Sequence, residues 1–176
     1  LDLYDEAVRQ CLRVKRDCPW LWEASLLEAE ARWSRGESAA KALTPLSGLR
    51  PPAAARPSFL AWRGALKVWS GRAAEAFADL DESVAAGNHN AHCWRGAART
   101  LTGDPAGAVA DLDAVIASDP GDDEALIWRA EALLALGRRD EARRDLDAAA
   151  GRGALWAFAL RARLELSEDR LDAARA

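Results

Sequence analysis

The sequence predicts an all-α fold: a right-handed α-solenoid of antiparallel helix pairs with an incomplete repeat at each end. The first observation is an internal period, since Gly103 and Gly137 are 34 residues apart and Gly71 and Gly103 are 32 apart. A period of this length is typical of stacked helical units. The second is that apolar residues between these glycines recur at helical spacing, so each helix has an apolar side that a neighbour can cover.

Each regular repeat carries the same ordered landmarks. A Trp-Arg pair is followed by a small residue, a glycine seven positions later, an alanine five after the glycine, and a leucine four after the alanine. The glycines stand where a helix end needs a left-handed residue. Asp104-Pro105 supplies a helix N-cap followed by proline at the first helical position. The three copies begin at Trp62-Arg63-Gly64, Trp94-Arg95-Gly96 and Trp128-Arg129-Ala130.

The N-terminal part predicts one helix from about Leu3 to Arg16, which ends before Pro19. This helix corresponds to the second half of a repeat. A helix equivalent to the first helix of a repeat, which we call a first-type helix, follows over 20–35. Gly36 breaks it, and its partner helix runs from Glu37 to about Leu46. The segment 47–57 contains three prolines and is predicted to be irregular, because proline interrupts a helix. The regular helices are predicted over 58–70 with 72–86, 90–102 with 105–118, and 122–136 with 138–150.

The tail predicts another first-type helix over 154–166, with its partner starting at Asp169. The sequence therefore predicts one repeat domain over 1–176. Because the chain lacks methionine and stops within a helical pattern, we expect it to be a piece of a larger protein. The predicted parts are a partial repeat at 1–19, a repeat at 20–50, the proline-rich insertion at 47–57, repeats at 58–88, 89–121 and 122–152, and a partial repeat at 153–176.

These landmarks resemble the tetratricopeptide repeat, a 34-residue helix–turn–helix unit. The family's inter-helix glycine falls on Gly71, Gly103 and Gly137. Its small residue in the first helix falls on 64, 96 and 130, its second-helix alanine on 76, 108 and 142, and its terminal proline on 19 and 120. The family's aromatic at the eleventh position is absent here, and tryptophan stands two positions after the family's fourth-position tryptophan. The resemblance implies a superhelix with a concave inner surface.

On the register that this resemblance implies, tryptophans and acids fall on the concave surface. An indole ring gives a large contact area at little entropic cost, which suits an anchor for a peptide or partner helix. The same stripe is equally consistent with a core face, with one ring edge exposed. Glu23 and Glu30 share these positions, so the predicted groove is aromatic and acidic. The candidate groove residues are Trp33, Trp62, Trp69, Asn90, Trp94, Glu124, Trp128 and Glu131.

Each Trp-Arg pair co-occurs with two aspartates in the partner helix, at 79 and 81, 111 and 113, and 145 and 147. The helix at 20–35 has Glu28 in place of the arginine, and its partner lacks the acids. This joint absence predicts an ion pair between helices in the three regular repeats. An anion-binding site is the alternative, because the arginine fork also suits phosphate and carboxylate.

Other functions find little support in the sequence. Net charge is −4 and the basic residues are scattered, which argues against nucleic acid. No apolar run is long enough to span a bilayer. His92 and Cys93 are adjacent and so diverge on a helix, which argues against a zinc site with His89 because zinc needs four convergent ligands. No catalytic or cofactor motif is found. We therefore expect no enzyme activity, metal or cofactor in this chain. Three cysteines without a pairing framework favour a reducing compartment, the cytoplasm.

The predicted function is a non-enzymatic scaffold that binds a peptide or partner helix along its concave surface. An aromatic and acidic groove favours a partner segment that is basic and apolar. Two alternatives stay open. The first is a regulatory or substrate-positioning arm of a larger enzyme, such as a transferase. The second is a module that self-associates through uncapped ends.

Overall fold

The structure is a computed structural model that describes residues 2–18 and 20–175, with side chains described for 3–18 and 20–166. Across these residues all regular elements are helical. Short 3₁₀ helices occupy Thr44–Leu46 and Ala73–Ala76. The α-helices are α1 (Asp2–Asp17), α2 (Glu23–Ser34), α3 (Ala39–Leu43), α4 (Arg56–Trp69), α5 (Phe77–Ala85), α6 (Asn90–Thr102), α7 (Pro105–Ser118), α8 (Asp123–Ala135), α9 (Arg139–Gly151) and α10 (Leu155–Arg175).

The chain divides into two compact units, residues 1–98 and 99–176, and the division falls within α6. In the first unit α2 packs against α1, α3 and α4, and α4 packs against α5. In the second unit α8 packs against α7 and α9, and α10 packs against α9. Each helix thus covers the apolar side of its neighbours along the chain. The predicted all-α fold of consecutive helix pairs is confirmed.

The turns between helices use the residues that the sequence singles out. Gly71, Gly103 and Gly137 have φ of 75°, 90° and 76°, which residues with a Cβ rarely adopt. Asp104 caps α7, because its Oδ1 accepts a hydrogen bond from the Gly107 amide at 3.0 Å. Asp122 caps α8 in the same way. These predicted turns are confirmed.

Close packing of a small residue against a leucine joins the two helices of a pair. At Gly64 in α4 a Cβ would lie 2.6 Å from Cγ and Cδ2 of Leu80 in α5. Leu80 is fully buried. In the second unit Ala130 of α8 and Leu146 of α9 lie in one buried cluster, also without exposed surface. The backbones of α4 and α5 therefore approach closely at Gly64.

Three elements differ from their predicted form. The partner helix expected over 37–46 is a five-residue α-helix followed by a 3₁₀ turn. The helix expected from Arg72 begins with a 3₁₀ turn, a common form of a helix start. The break expected before Asp169 is wrong, since α10 continues to Arg175; the sequence between 154 and 175 holds neither glycine nor proline to end it.

The segment 47–55 is irregular, as its prolines predict, and α4 begins at Arg56, with Pro57 in its first turn. Ser83 donates a hydrogen bond from Oγ to the Pro57 carbonyl at 2.7 Å, which ties this helix start to α5. The predicted role of Pro19 lies outside the described residues. The repeat boundaries stay a prediction.

The close approach at Gly64 generates a stability prediction. Gly64→Ala should lower the free energy of unfolding by about 1–3 kcal/mol, because the new methyl group overlaps the buried Leu80 side chain. Urea denaturation measures the change. Gly151→Ala is the matched control, since Gly151 ends α9 and a Cβ there would meet nothing within 4 Å. Equal stabilities for the two variants would contradict the prediction.

Candidate partner-binding cavities

Arg129 of α8 holds two neighbouring helices through carboxylates. Its Nε and Nη2 donate to the two carboxylate oxygens of Asp145 in α9 at 2.8 and 2.7 Å, and its Nη1 donates to Asp113 in α7 at 2.7 Å. Asp145 is only 6% exposed. The hydrogen bonds to Asp145 raise the pKa of Arg129 above its ordinary value. The guanidinium is thus charged and already bound to carboxylates, as the predicted ion pair requires.

The same kind of pair occurs in the first unit. Arg63 donates to both carboxylate oxygens of Asp79, at 2.8 and 2.5 Å, and Lys67 donates to Asp79 at 2.7 Å. Burial alone would raise the pKa of Asp79, but the hydrogen bonds from Arg63 and Lys67 outweigh it and hold the pKa below the ordinary value. The predicted interhelical pairing is confirmed for Arg63 and Arg129. Arg95 pairs at 3.0 Å with Asp81 of α5, which belongs to the preceding repeat, and its pairing with the aspartates of α7 stays a prediction.

The earliest first-type helix uses the opposite charge order. Glu28 of α2 occupies the register position of the arginines and is 2% exposed. Its carboxylate accepts from Lys15 of α1 at 2.7 Å and from Arg32, one turn later in α2, at 2.8 Å. A buried charge therefore stands at this position here too, but it is an anion that cations on both sides neutralise.

A cavity of about 360 Å³ in the second unit is lined largely by charged residues, among them Arg129 and Asp145, and is not a candidate site. Arg129 there binds Asp113 and Asp145, and Arg138 binds Glu141 at 2.7 Å. Arg144 donates to the backbone carbonyl of Asp140. Because carboxylates already bind Arg129 and Arg138 in its wall, the alternative of an anion site at these arginines gains no support.

The first candidate site, which we call the tryptophan cavity, is an open apolar cavity of about 270 Å³ in the first unit. Facing stripes of α2 and α4 line it, and the stripe on each helix follows helical spacing. Trp62 is 49% exposed, so one wall of the cavity is also accessible to a partner. The lining residues are Trp22, Glu23, Leu26, Leu27, Glu30, Trp62, Leu66 and Trp69.

Two of the indole walls are held by other aromatic rings. Trp22 meets Phe59 edge to face, with 5.7 Å between ring centroids and 88° between planes. Trp69 meets Trp94 in the same way at 4.8 Å and 86°. Such contacts stabilise ring orientation beyond the area that they bury. The cavity therefore has two fixed walls and one half-exposed wall at Trp62.

Acidic side chains stand at both ends of the α2 stripe. Glu23 and Glu30 are exposed and seven residues apart, which places them about 10.5 Å apart along a helix axis at 1.5 Å per residue. All the charged residues that line the cavity are acidic. Among the described residues neither glutamate forms an ion pair. The cavity thus combines apolar walls with negative charge that the described part of the chain leaves uncompensated.

The second candidate site, which we call the Trp128 cavity, has a volume of about 210 Å³ and lies between α8 and the start of α10 in the second unit. Trp128 and Trp156 lie 6.0 Å apart between ring centroids. Glu131 accepts a hydrogen bond from Arg163 of α10 at 2.7 Å, so this carboxylate is already paired. The lining residues are Asp123, Glu124, Ile127, Trp128, Glu131, Ala154, Leu155 and Trp156.

Glu124 carries the perturbed carboxyl group of this cavity. Desolvation, with a smaller contribution from the Asp122 carboxylate, raises the pKa of Glu124 to about 7. The residue is nevertheless exposed on its outer side. Water there offsets part of the desolvation, so we expect a pKa above the ordinary value and at most about 7. The Trp128 cavity is thus less negative at neutral pH than its sequence suggests.

The structure places the predicted groove residues in three kinds of environment. Trp62 and Trp69 line the tryptophan cavity, and Glu124, Trp128 and Glu131 line the Trp128 cavity. Trp94 and Trp128 are 7% and 9% exposed, so both belong largely to the core. Trp33 is half-buried and Asn90 is exposed, and both lie outside these two cavities. Their roles as partner contacts stay predictions.

Trp22 and Trp156 are cavity walls that the sequence did not predict. A repeated pattern was available as a signal: Glu23, Leu26, Leu27 and Glu30 recur 101 residues later as Glu124, Ile127, Trp128 and Glu131. Gly36 and Gly137 are separated by the same 101 residues, so the two stripes share one repeat register. The pattern marks the helices but not the rings that face them from neighbouring helices.

Two further features of the described residues bear on function. Within side chains 3–18 and 20–166, His, Cys, Asp and Glu residues form no group of three or more that could hold a metal ion. In the same part of the chain, the helices all fall short of the length and apolarity that crossing a membrane requires. Cys11, Cys18 and Cys93 form no disulfide there.

Comparison with known proteins agrees with this architecture. Residues 101–164 match the sequence profile described as tetratricopeptide repeat. Two solved structures, both titled as crystal structures of MamA, are similar to this chain at 20% identity. One has a TM-score of 0.61 and covers 83% of this chain and 80% of its own; the other has a TM-score of 0.59 and covers 84% and 87%. No curated protein matches the chain.

Residues 101–164 therefore carry tetratricopeptide repeat sequence, and the predicted resemblance is confirmed. The profile match covers the regular helices from the end of α6 into α10. The likeness to MamA extends the shared fold over most of the chain. Domains of this class generally serve as scaffolds for protein interaction.

The Arg129–Asp145 pair predicts coupled effects on stability. Arg129→Ala should destabilise the protein by about 2–4 kcal/mol, because it leaves the buried Asp145 carboxylate without its main partner. In the Arg129→Ala background, Asp145→Ala should destabilise the protein much less than it does in wild type. A double-mutant cycle measured by urea denaturation should therefore give a coupling energy of about 1–3 kcal/mol. Additive losses would mean that the pair does not act as a unit.

Glu124 predicts a stability difference that depends on pH. Its folded-state pKa is raised, so its contribution to stability is fully present below about pH 4.5 and is lost as pH rises through the folded-state value, about 7 at most. Glu124→Gln should therefore unfold at a higher temperature than wild type at pH 8 and at a similar temperature near pH 4. Glu131→Gln, which removes the pair with Arg163, is the control and should give no gain at pH 8.

Proposed function

We propose that this chain is a non-enzymatic interaction module that binds an extended, basic and apolar segment of a partner protein in the tryptophan cavity. The observation that carries the proposal is the combination there of a half-exposed Trp62, apolar walls and two uncompensated glutamates. An apolar cavity with a few converging polar groups is the ordinary form of a binding site. Partly exposed tryptophan is also enriched where protein partners anchor.

The geometry of α2 favours a particular arrangement of charge in the partner. Glu23 and Glu30 stand about 10.5 Å apart along the helix axis, at 1.5 Å per residue. In a chain with polyproline II geometry, residues three positions apart lie on the same side and span about 9.3 Å, at roughly 3.1 Å per residue. We therefore propose that two basic side chains with this spacing reach the two glutamates, while an apolar side chain between them enters the cavity between Trp62 and Trp69.

The Trp128 cavity is the weaker candidate for the same ligand. Its Glu131 is paired with Arg163, and Glu124 sits where desolvation disfavours its charge. Both effects reduce the attraction for a basic segment. The tryptophan cavity therefore carries the proposal, and the Trp128 cavity serves as an internal comparison.

The two alternative functions stay predictions. Self-association gains some support from α10, which exposes large apolar side chains: Leu155, Trp156, Phe158 and Leu166. An exposed apolar stripe of this kind is common at interfaces between proteins. The role as an arm of a larger enzyme depends on sequence beyond this chain.

Binding of a designed peptide tests the proposal. A fluorescein-labelled peptide of sequence Ser-Lys-Leu-Gly-Lys-Ser carries two lysines three positions apart with a leucine between them. We expect it to bind wild type, and Trp62→Ala to weaken binding about tenfold or more, because the variant removes an anchoring wall. Fluorescence anisotropy measures the affinity. The affinity should decrease as the salt concentration is raised from about 0.05 M to about 0.5 M, because salt screens the charges.

Trp20→Ala is the matched control variant. Trp20 is 73% exposed in the same unit and does not line the cavity, so its removal should leave the affinity unchanged. The peptide Ser-Glu-Leu-Gly-Glu-Ser is the matched control ligand and should not bind. Equal loss in both tryptophan variants, or equal binding of both peptides, would contradict the proposed site.

A further inference from the structure

The tryptophan cavity has the composition of an aromatic cage, and we infer that it accepts the trimethylated side chain of a lysine in the partner segment. This inference rests on the proposed function, because the modified lysine is taken to arrive as the central residue of the basic segment described above. It adds the chemical class of the group that enters the cavity. An unmodified apolar side chain there is the competing occupant that the experiment below distinguishes.

Three indole rings line one small cavity, which is the first reason for the inference. Trp22, Trp62 and Trp69 come from α4 and from the residue that precedes α2. The face of an indole is negative, and it attracts a cation held within about 6 Å of the ring centre. Trp is the most effective of the aromatic residues in this role. Arginine stacks on other aromatic rings of this chain, Phe59 and Phe158, but the cavity's lining contains no basic residue.

The second reason is the distribution of polar groups around the cavity. Glu23 and Glu30 are exposed and supply negative charge, whereas the remaining lining residues are leucines and tryptophans. An unmodified ammonium brings three N–H donors, each of which loses hydration in apolar surroundings unless it finds an acceptor. A trimethylammonium group has no N–H to satisfy, carries the same charge, and presents methyl groups to the apolar walls.

The third reason is the size and rigidity of the cavity. Its volume of about 270 Å³ lies just below the range of about 300–1,000 Å³ that suits drug-sized ligands, so it fits one side chain better than a larger molecule. Phe59 and Trp94 hold Trp22 and Trp69 edge to face. Walls whose side chains are already ordered lower the entropic cost of binding.

The Trp128 cavity lacks this combination. It is lined by two indoles, Trp128 and Trp156, and its volume is about 210 Å³. Arg163 already neutralises Glu131 there. The difference between the cavities places the inferred cation site in the first unit only.

Three peptides that share the sequence Ser-Lys-X-Gly-Lys-Ser test the inference, with X as trimethyllysine, unmodified lysine, or the uncharged analogue in which carbon replaces the quaternary nitrogen. The analogue has the shape of trimethyllysine without its charge. We expect the trimethyllysine peptide to bind wild type about tenfold more tightly than either of the others, which corresponds to one desolvated cation–π contact. Equal binding of trimethyllysine and its carbon analogue would overturn the inference.

The leucine peptide Ser-Lys-Leu-Gly-Lys-Ser separates this outcome from failure of the proposed function. If the leucine peptide binds in a Trp62-dependent way and trimethyllysine gives no preference over its carbon analogue, the cage inference fails and the proposed function stands. If none of the peptides binds, the proposed function fails. Isothermal titration calorimetry gives all four affinities under one set of conditions.

Matched variants connect the preference to the indole rings. Trp62→Leu keeps an apolar wall without an aromatic face, so we expect it to lose the trimethyllysine preference while it still binds the leucine peptide. Trp20→Ala should keep the preference. Circular dichroism establishes that each variant is folded. A Trp62→Leu protein that retains the full preference would contradict the assigned wall.

Free choline distinguishes a peptide ligand from a small quaternary ammonium compound. We expect choline to displace the trimethyllysine peptide only at concentrations far above the peptide dissociation constant, because it lacks the two lysines that face Glu23 and Glu30. Choline binding as tight as that of the peptide would overturn the commitment to a protein partner.

Discussion

The close approach of paired helices at a small residue is the constraint on which this structure depends. Gly64 leaves room for Leu80, and Ala130 and Leu146 lie together in the core of the second unit. Where backbones come this near, one face of each first-type helix is used up by its own partner. A neighbouring face of the helix is then free to carry other residues. That face carries the apolar and acidic stripes of α2 (Glu23 to Glu30) and α8 (Glu124 to Glu131).

Buried charges give each helix pair a defined alignment in addition to this packing. Asp79 and Asp145 lie nearly out of solvent, and each accepts two hydrogen bonds from an arginine across the pair. A buried carboxylate without its cation would be costly, so the helices cannot slide past each other without losing both partners. Glu28 shows that the requirement concerns neutralisation and not the sign of the charge, because Lys15 and Arg32 satisfy it from the opposite direction.

The two cavities illustrate how one repeat register gives sites of different character. Both use glutamates at the ends of a stripe with two apolar residues between them. In the first unit these glutamates remain available, and rings from α4 complete the walls. In the second unit Arg163 takes one glutamate and desolvation disfavours the charge of the other. The neighbouring helix therefore decides whether a stripe can attract a cationic ligand.

Much of the architecture follows from the sequence alone. Glycine spacing places the turns at Gly71, Gly103 and Gly137, because only a residue without a Cβ enters the left-handed region at little cost. Helix bounds such as Asn90–Thr102 and Pro105–Ser118 follow from caps and breakers. The pairing of Arg63 with Asp79 follows from their joint occurrence. These features depend on local chemistry or on residues that occur together within one repeat. They can therefore be predicted from the sequence pattern alone.

Exposure and enclosure were decided only by the tertiary structure. Trp62, Trp94 and Trp128 occupy the same register position, yet one is half exposed and two are nearly buried. Their surroundings come from helices whose residues do not repeat, such as Trp22 before α2 and Trp156 in α10. Whether a ring borders a cavity depends on what several other segments place against it. A periodic sequence can therefore specify which face of a helix a residue occupies, while the packing of non-equivalent neighbours determines whether that face is a core or a site.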